Sequence, residues 1–401
     1  MDLNTISQLT QTSDAAIVLL VMDGLGGLPG ESNELTELEA AQTPNLDALA
    51  EQSVCGLHQV VGPGITPGSG PGHLGLFGYD PLHYQVGRGV LAALGIDFDL
   101  QPGDVAVRGN FCSLDDQGRI TDRRAGRISS EKNQALCRLL RGIELDDCDL
   151  FVETVKDYRF LLVFRGRELS AEIRETDPQA VGVRPVEPEP LSTEAEPTAR
   201  AVKSFLEQAG KRLADQHPAN MVLLRGFSKR PDWPPFQDVF GLNPAAIAAY
   251  PMYRGLAKLV GMEILETSHD LDEQFQVLQS RFKDFDFHFL HVKQTDSAGE
   301  DGDFVKKASL IKQVDGQIPR LLECEPDVIL VTGDHSTPAS LGSHSWHPVP
   351  VLLWSKYCRP DGVKQFGERA CMSGGLGARM PAKDLMPLAL ANALRLKKFG
   401  A

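Results

Sequence analysis

The sequence predicts an α/β protein whose three-layer main domain contains a mostly parallel sheet and is interrupted by a smaller α+β domain. The first observation behind this prediction is a set of short, continuous apolar runs, for example residues 15–22 and 328–331. Such runs are typical of strands buried on both faces of a parallel sheet. Because helical segments separate them, we expect strands and helices to alternate along the chain.

The second observation is a change of pattern at about residue 87. Residues 105–112 and 119–122 flank a turn, as do residues 150–156 and 159–165, and both arrangements are typical of antiparallel hairpins. Hairpins inserted into an α/β chain indicate two domains, of which the main one is discontinuous. We therefore expect a main domain over residues 1–86 and 245–401, and an inserted domain over residues 87–244.

The main domain begins with a predicted strand over residues 15–22. A helix over residues 44–51 should follow, because Thr43 can cap it and Pro44 suits its first position. Residues 62–75 contain six glycines and three prolines, and this composition predicts a loop with unusual backbone geometry.

The inserted domain ends with a predicted exposed loop over residues 176–199, which carries five prolines, and with a helix and a strand over 195–213 and 220–225. After residue 235 the alternation of helices and strands returns. The elements predicted there are a helix over 244–260, a strand over 262–266, a helix over 271–284, a strand over 285–292, a helix within 303–323, strands over 327–332 and 350–354, and a helix over 383–397.

Composition excludes several classes of function. The chain has 401 residues and a formal net charge of −14, so a nucleic-acid or anionic-membrane partner is not expected. No apolar run approaches the length of about 20 residues that a membrane span needs. There is no cationic segment ahead of an apolar run at the start, and the seven cysteines form no C-x-x-C pair. We expect a soluble cytoplasmic protein, and the sequence leaves open whether it forms a homo-oligomer.

Four polar clusters end predicted strands or follow them, which is where open α/β sheets place their sites. Each has an ordinary alternative: Asp-Gly often caps a turn, and a loop histidine is often simply solvated. His58 and four other histidines are expected to be structural, and His291 is grouped with them. The clusters are Asp23; Ser69 with His73; Asp296 with Glu300; and Asp334 and His335 with His344 and His347 downstream.

Together these side chains suit two divalent metal ions. Carboxylates, imidazoles and a hydroxyl form ligand sets for Mn²⁺, Mg²⁺ or Zn²⁺. Two such ions can hold a phosphoryl group and lower the pKa of a coordinated hydroxyl. Ser69 can be that hydroxyl, because the glycines beside it permit a strained turn that exposes its oxygen. The alternative is a flexible loop with an incidental serine.

Basic segments point to a small anionic substrate. Residues 122–127, 225–230 and 250–258 concentrate positive charge in an otherwise acidic chain. Guanidinium groups bind phosphate and carboxylate through two parallel hydrogen bonds. For any single arginine, surface salt bridging is an equally good explanation.

The motifs in this sequence closely resemble those of the archaeal-type phosphoglycerate mutases that act independently of 2,3-bisphosphoglycerate, a family of the alkaline phosphatase superfamily. The resemblance runs in order over almost the whole chain. Its motifs are Asp23-Gly-Leu-Gly, Thr43-Pro-Asn-Leu-Asp47, Gly68-Ser-Gly-Pro-Gly-His-Leu74, Gly78-Tyr-Asp-Pro81, Asp122-Arg-Arg-Ala-Gly-Arg127, Asp296-x-Ala-Gly-x-Asp-Gly-Asp303 and Thr332-Gly-Asp-His-Ser-Thr-Pro338.

The resemblance implies a phosphatase-like metal domain interrupted by a substrate-closing domain. It also implies the interconversion of 3-phosphoglycerate and 2-phosphoglycerate, a step of glycolysis and gluconeogenesis, through a phosphoserine and without bisphosphoglycerate. One metal would be held by Asp23, Ser69, Asp334 and His335, and the other by Asp296, Glu300 and His344. His347 is not counted as a ligand. Matching substrate-binding positions are Asp122, Arg123, Arg124, Arg127, Arg225 and Arg254.

The sequence departs from the family pattern at Glu300, where relatives have histidine. Asp296 and Glu300 are four positions apart and share a helix face, so ligation by Glu300 still fits. A carboxylate in place of imidazole favours Mn²⁺ or Mg²⁺ over Zn²⁺. The alternatives are a related phosphotransferase that phosphorylates homoserine, a phosphomonoesterase of the same superfamily, or a non-catalytic sensor of phosphorylated metabolites.

Overall fold

The structure is a computed structural model that describes residues 2–30 and 34–400. It contains thirteen strands in this part of the chain. In chain order they are β1 Ile17–Met22, β2 Val54–Gln59, β3 Val105–Leu114, β4 Ile120–Asp122, β5 Asp149–Lys156, β6 Arg159–Arg165, β7 Met221–Ser228, β8 Pro244–Ile247, β9 Glu263–Leu265, β10 Phe287–Val292, β11 Val328–Thr332, β12 Val349–Ser355 and β13 Gly377–Pro381.

Fifteen α-helices accompany these strands over the same described ranges. They are α1 Leu3–Leu9, α2 Glu37–Ala40, α3 Pro44–Ala50, α4 Ser69–Leu76, α5 Arg88–Gly95, α6 Ser130–Leu140, α7 Glu196–Leu213, α8 Phe236–Phe240, α9 Pro251–Leu259, α10 Leu271–Arg281, α11 Gln294–Glu300, α12 Phe304–Asp315, α13 Ile318–Leu322, α14 Glu368–Cys371 and α15 Leu385–Asn392. Among the helices described, none combines the length and the apolar character needed to cross a membrane.

The chain forms two compact units. The first comprises Met1–Gln85 and Trp233–Ala401, and the second comprises Val86–Asp232. Residues 233–244, which the sequence analysis placed in the insert, belong to the first unit because Phe236 of α8 packs its ring against Phe77 and Phe287. The α/β class with a mostly parallel main sheet is confirmed.

The first unit contains an eight-stranded sheet in the order β13-β2-β12-β11-β1-β10-β8-β9. Pairs involving β1 are parallel on both sides, and β12 is antiparallel to both of its neighbours. Every residue of β1, β10 and β11 is buried, as expected for central strands covered by helices on both faces. The continuous apolar runs therefore correspond to the centre of the sheet.

The second unit contains a five-stranded antiparallel sheet in which β3 pairs with β4, β6 and β7, and β6 also pairs with β5. Both predicted hairpins are present in it. Leu136 of α6 and Phe205 of α7 are buried in one apolar cluster with Phe160 of β6, so these two helices cover one face of the sheet.

Several predicted elements differ from those observed. The predicted helix over 244–260 is a strand, β8, followed by α9, because Pro244–Ile247 pairs with β10 and this pairing outweighs the helical propensity of alanine. The predicted loop over 62–75 ends in helix α4, and the predicted helix within 303–323 is two helices, α12 and α13. The pattern also missed β2, β13 and α5, whose sequences carry no strong periodic signal.

Candidate metal centre

The ends of three neighbouring strands bring the candidate ligands together. Met22 of β1 lies opposite Val292 of β10, and Val21 lies opposite Thr332 of β11. Because the three strands are parallel and in register, the residues that follow them meet at one edge of the sheet. This placement brings Asp23 near the segments that begin at Lys293 and at Gly333.

The first group of ligands consists of Asp23, Asp334 and His335. All three are fully buried, and one ligand atom from each lies within 4.8 Å of the others. Nε2 of His335 lies 3.4 Å from Oδ1 of Asp23 and 3.3 Å from Oδ2 of Asp334. These two carboxylate oxygens have no hydrogen-bond partner among the residues that the structure describes. Buried carboxylate oxygens require a partner, and a divalent cation fits this donor set.

The second group consists of Asp296, His335 and His344, so His335 belongs to both. Nε2 of His344 lies 3.6 Å from Oδ1 of Asp296, and its Nδ1 lies 3.0 Å from the carbonyl oxygen of Pro67. Because a carbonyl can only accept, Nδ1–H of His344 donates this bond and Nε2 keeps a lone pair on the side of Asp296. The rings of His335 and His344 stack with their centroids 3.7 Å apart.

Ser69 is the first residue of α4 and lies beside the first group. Its Oγ is 3.2 Å from Nε2 of His335. The helix can approach this closely because Gly72 packs against the main chain of Asp334, where a Cβ would overlap the carbonyl oxygen. The glycines that predicted a loop therefore serve close packing of a helix.

Glu300 and His347 lie less centrally than these ligands. The Glu300 side chain is 55% exposed, and its Oε1 lies 3.8 Å from Nε2 of His344. Among the described residues, Glu300 belongs to neither of the two ligand groups. His347 bonds through Nδ1 to the hydroxyl of Ser345, and its ring stacks on Trp346.

Three residues that sequence reasoning missed contact Oδ2 of Asp23. Nζ of Lys293 lies 3.0 Å from this oxygen and also contacts Asp296, so the ammonium joins a ligand of each group. Nε2 of His291 lies 3.4 Å from it, and the hydroxyl of Tyr253 donates a hydrogen bond to it. The position of His291 and Lys293 at the end of β10 could have indicated from the sequence that they lie near the ligands. Nothing in the sequence around Tyr253, on α9, indicates its contact with Asp23.

The charges of this centre shift the pKa values of its members. Burial alone would raise the pKa of Asp23, but the Lys293 ammonium and then His291 hold it well below the usual range. Burial and Asp23 act to raise the pKa of Asp334, but His335 and His73 outweigh them and lower it. Burial lowers the pKa of His335. The first group is therefore ionised at its carboxylates and neutral at the imidazole at neutral pH.

His73 contacts the first group from α4. Its Nδ1 lies 2.8 Å from the carbonyl oxygen of Ser69 and 3.1 Å from Oδ2 of Asp334. Burial acts to lower the pKa of His73, but the charge of Asp334 outweighs it and raises the pKa. His73 therefore ties the main chain at Ser69 to Asp334.

In the second unit, Asp122 organises a strained turn. Its carboxylate accepts hydrogen bonds from the main-chain N–H groups of Arg124, at 2.7 Å, and Gly126, at 2.6 Å. Ala125, Gly126 and Arg127 all have positive φ, of 46°, 65° and 53°. Consecutive left-handed residues cost energy and are concentrated at functional sites. Arg124 and Arg127 are exposed on this turn.

Other arginines of the second unit surround a small number of carboxylates. Arg123 makes a two-bond contact with Asp177, at 2.8 and 2.7 Å, and Nη1 of Arg225 lies 3.7 Å from the same carboxylate. Arg108 on β3 lies opposite Arg225 on β7. Burial, and then the guanidiniums of Arg88, Arg159 and Arg225, lower the pKa of Arg108 to about 9. This excess of positive charge can accommodate an anion, and sequence reasoning missed Arg88, Arg108 and Arg159.

Arg254 belongs to the first unit. Its guanidinium makes a two-bond contact with Glu266, at 2.8 and 2.7 Å. The Glu266 side chain is 77% exposed, so the carboxylate of this pair lies at the surface of the protein.

Comparison with solved structures shows first which folds this chain is similar to. Over 97% of this chain and all of that chain, the structure is similar to a protein from Pyrococcus horikoshii, with a TM-score of 0.83 and 30% identity. Over 94% of this chain and all of that chain, it is similar to the cofactor-independent phosphoglycerate mutase from Thermoplasma acidophilum, with a TM-score of 0.68 and 28% identity. Both similarities cover the two units.

Comparison of sequences identifies the family. Residues 50–220 match the family model for 2,3-bisphosphoglycerate-independent phosphoglycerate mutase. Two relatives carry this name with the qualifier "probable". The one from Deinococcus radiodurans is 49% identical over 100% of this chain and 99% of its own, and the one from Thermus thermophilus is 47% identical over 99% and 98%. The chain belongs to the 2,3-bisphosphoglycerate-independent phosphoglycerate mutase family, whose members are isomerases.

Proposed function

We propose that the chain interconverts 3-phosphoglycerate and 2-phosphoglycerate through a phosphoserine at Ser69, beside two divalent metal ions and without bisphosphoglycerate. The observation that carries this proposal is the position of the Ser69 hydroxyl, 3.2 Å from Nε2 of His335, the residue shared by both ligand groups. Membership of the mutase family supports the choice of substrate.

The two ligand groups support the presence of two ions. Asp23, Ser69, Asp334 and His335 would hold one ion, and Asp296, Glu300 and His344 would hold the other, with His335 close to both. A donor set dominated by carboxylates favours Mn²⁺ or Mg²⁺, with Zn²⁺ as the third choice. When bound, such ions lower the pKa of a hydroxyl beside them and neutralise charge on a phosphoryl group.

Ser69 would act as the nucleophile. Its hydroxyl loses its proton as the oxygen forms a bond to phosphorus, the bond from phosphorus to the 3-oxygen of glycerate breaks, and the released 3-oxygen takes up a proton. Glycerate then presents its 2-hydroxyl, which loses a proton as it accepts the phosphoryl group, and the released Ser69 oxygen takes up a proton again. The N-terminal amides of α4 begin at Ser69 and favour the negative charge of the phosphoryl oxygens.

Arginines would bind the carboxylate and phosphate of the substrate. The expected positions are Arg123, Arg124, Arg127 and Arg225, together with Arg254 of the first unit, and the Asp122 carboxylate would hold the turn that carries Arg124 and Arg127. We add three more arginines to the proposed substrate-binding residues, because the guanidinium groups around Arg108 outnumber the carboxylates near them. These three are Arg88, Arg108 and Arg159.

The test uses protein that is stripped of metal, reloaded with Mn²⁺ or Mg²⁺, and given 3-phosphoglycerate without bisphosphoglycerate. Phosphorus NMR follows the products. We expect 2-phosphoglycerate from the wild type and none from Ser69→Ala. Ser280→Ala is the matched control, because among the described residues its exposed hydroxyl bonds only to the carbonyl of Val277 in its own helix. Retained mutase turnover in Ser69→Ala would contradict the proposal, and release of free phosphate alone would indicate a phosphomonoesterase.

A further inference from the structure

The hydroxyl of Thr337 lies between a ligand of the second group and the ligand that both groups share. Its Oγ1 is 2.7 Å from Oδ1 of Asp296 and 2.9 Å from Nδ1 of His335. All three residues are buried. Thr337 itself is not among the candidate ligands, and the proposed function gives it no role.

The chemistry of these groups fixes the direction of both hydrogen bonds. Oδ2 of Asp296 faces the Lys293 ammonium, which can only donate, so the Asp296 carboxylate acts as an acceptor here. A hydroxyl has one hydrogen, and Thr337 donates it to Asp296. Its oxygen must then accept the second bond, and the donor is Nδ1–H of His335.

The main chain of Thr337 is held in place by hydrogen bonds to both its N–H and its carbonyl group. Its N–H donates to the carbonyl of Gly26 at 2.9 Å, and its own carbonyl accepts from Nζ of Lys307 at 2.8 Å. The same ammonium also donates to the carbonyl of Gly26 at 3.1 Å. Lys307 is fully buried, so the loop after β1 and the loop after β11 are tied together by one enclosed cation.

Two glycines leave the space that the hydroxyl and its neighbours occupy. A Cβ on Gly24 would lie 2.6 Å from Oγ1 of Thr337 and 2.8 Å from Oδ1 of Asp296. A Cβ on Gly299 would overlap the carbonyl oxygen of Thr337. Side chains at either position would displace this bridge.

We infer that Thr337 is a positioning residue that fixes His335 as the tautomer with hydrogen on Nδ1, and that it links His335 to Asp296. Nε2 of His335 then presents its lone pair towards Ser69, Asp23 and Asp334, at distances of 3.2, 3.4 and 3.3 Å. One hydroxyl thereby sets the orientation of ligands from both groups. The tautomer follows from the geometry alone, whereas its consequence for metal binding rests on the proposed function.

The test compares Thr337→Val, which removes the hydroxyl at similar volume, with Thr337→Ser, which keeps it. Long-range proton–nitrogen NMR of ¹⁵N-histidine-labelled full-length protein, with Mg²⁺ and after chelation, reports the tautomer, and His335→Gln assigns the signal. We expect hydrogen on Nδ1 in the wild type and in Thr337→Ser, and a loss of this preference in Thr337→Val. Thr295→Val is the matched control, because this buried hydroxyl donates to the carbonyl of Asp23 and contacts no ring in the described structure.

Calorimetric titration with Mn²⁺ gives a second readout. We expect the affinity to fall roughly 10- to 100-fold in Thr337→Val, the usual loss on removing an outer-shell partner, and to change little in Thr337→Ser. Hydrogen on Nε2, or on both ring nitrogens, of wild-type His335 would overturn the inference even if Thr337→Val failed to fold. Unchanged tautomer and Mn²⁺ affinity in folded Thr337→Val would also overturn it. Neither readout uses phosphoglycerate, so a failure of the proposed function is detected separately.

Discussion

Oγ of Ser69 lies 3.2 Å from Nε2 of His335, although the two residues are separated by 266 positions in the chain. Two local features produce this contact. The start of α4 packs against the main chain of Asp334 through Gly72, and Nδ1 of His73 in the same helix lies 2.8 Å from the Ser69 carbonyl and 3.1 Å from the Asp334 carboxylate. The hydroxyl proposed as nucleophile is therefore fixed to the loop that supplies two of the ligands.

Substitution of Gly72 tests whether this close packing positions Ser69. In Gly72→Ala the added methyl overlaps the carbonyl oxygen of Asp334, so we expect a loss of about 1–3 kcal/mol in the free energy of unfolding. We also expect mutase turnover to fall roughly 100-fold, since a displacement of about 1 Å can cost this much. Chemical denaturation and a mutase assay measure the two effects.

Gly68→Ala is the control, since a methyl there has 3.9 Å of clearance to its nearest neighbour, Pro71. Equal effects of the two substitutions would show that the loop responds to any alanine, and not to the contact with Asp334.

Removal of the Lys293 ammonium should destabilise the protein mainly when metal is absent. Lys293→Met leaves Asp23 and Asp296 without the cation that joins them, and breaking a buried pair costs about 3–5 kcal/mol. Divalent cations can replace part of the lost charge, so the cost should shrink in saturating Mn²⁺. Thermal unfolding with chelator and with metal provides the comparison.

Lys306→Met, at an exposed position of α12, controls for the loss of one positive charge. A loss of stability in Lys293→Met that is the same with and without metal would contradict the expectation.

His58 should make the metal-free protein less stable in mild acid. Burial lowers the pKa of His58 from 6.5 to about 4, so the unfolded chain binds a proton between these pH values and the folded chain does not. The contribution of His58 to the free energy of unfolding is therefore constant above pH 6.5 and falls as the pH decreases towards 4. The total loss from this group is about 3 kcal/mol.

His58→Gln should remove this dependence, whereas His83→Gln, at an exposed position, should retain it. Denaturation in chelator at a series of pH values measures the slopes. A slope in His58→Gln as steep as that of the wild type would assign the acid sensitivity to other groups.

Glu300 should bias the second group towards hard cations. Oε1 of Glu300 lies 3.8 Å from Nε2 of His344, so Glu300→His would replace a carboxylate near this ligand with a nitrogen donor, and we expect the affinity for Zn²⁺ relative to Mn²⁺ to rise severalfold. Asp301→His places the same ring at the neighbouring exposed position and serves as the control. Competition titrations measure the ratio, and an unchanged ratio would place Glu300 outside the metal environment.

The sequence was sufficient to predict the centre of the main sheet and the place of the site. Continuous apolar runs correspond to β1, β10 and β11, and polar residues that directly follow a parallel strand must lie at one edge of the sheet. Asp23, Asp334 and His335 could be predicted on this basis because their position depends on strand direction alone. Ser69 and His344 were candidates from the residues alone, but their assignment to particular metal ions required the family resemblance, since loops carry them to the same edge.

The remaining features depend on packing that leaves no local signal. Pro244–Ile247 is a strand because β10 offers it a pairing partner, and Gly72 lets helix α4 pack against the Asp334 main chain. Tyr253 contacts Asp23 from a helix 230 positions away. Arg108 meets Arg225 through the register of β3 and β7, which the composition of neither strand could indicate.

The most direct test of the central claim is to trap the phosphoryl group on the enzyme. Metal-loaded protein is mixed with 3-phosphoglycerate whose phosphoryl oxygens carry ¹⁸O, quenched in acid and digested, and the label is located by mass spectrometry. The proposed phosphoserine mechanism predicts that the label is on the peptide that contains Ser69, at the hydroxyl beside His335. Formation of 2-phosphoglycerate with the label on another residue, or with turnover intact in Ser69→Ala, would contradict it.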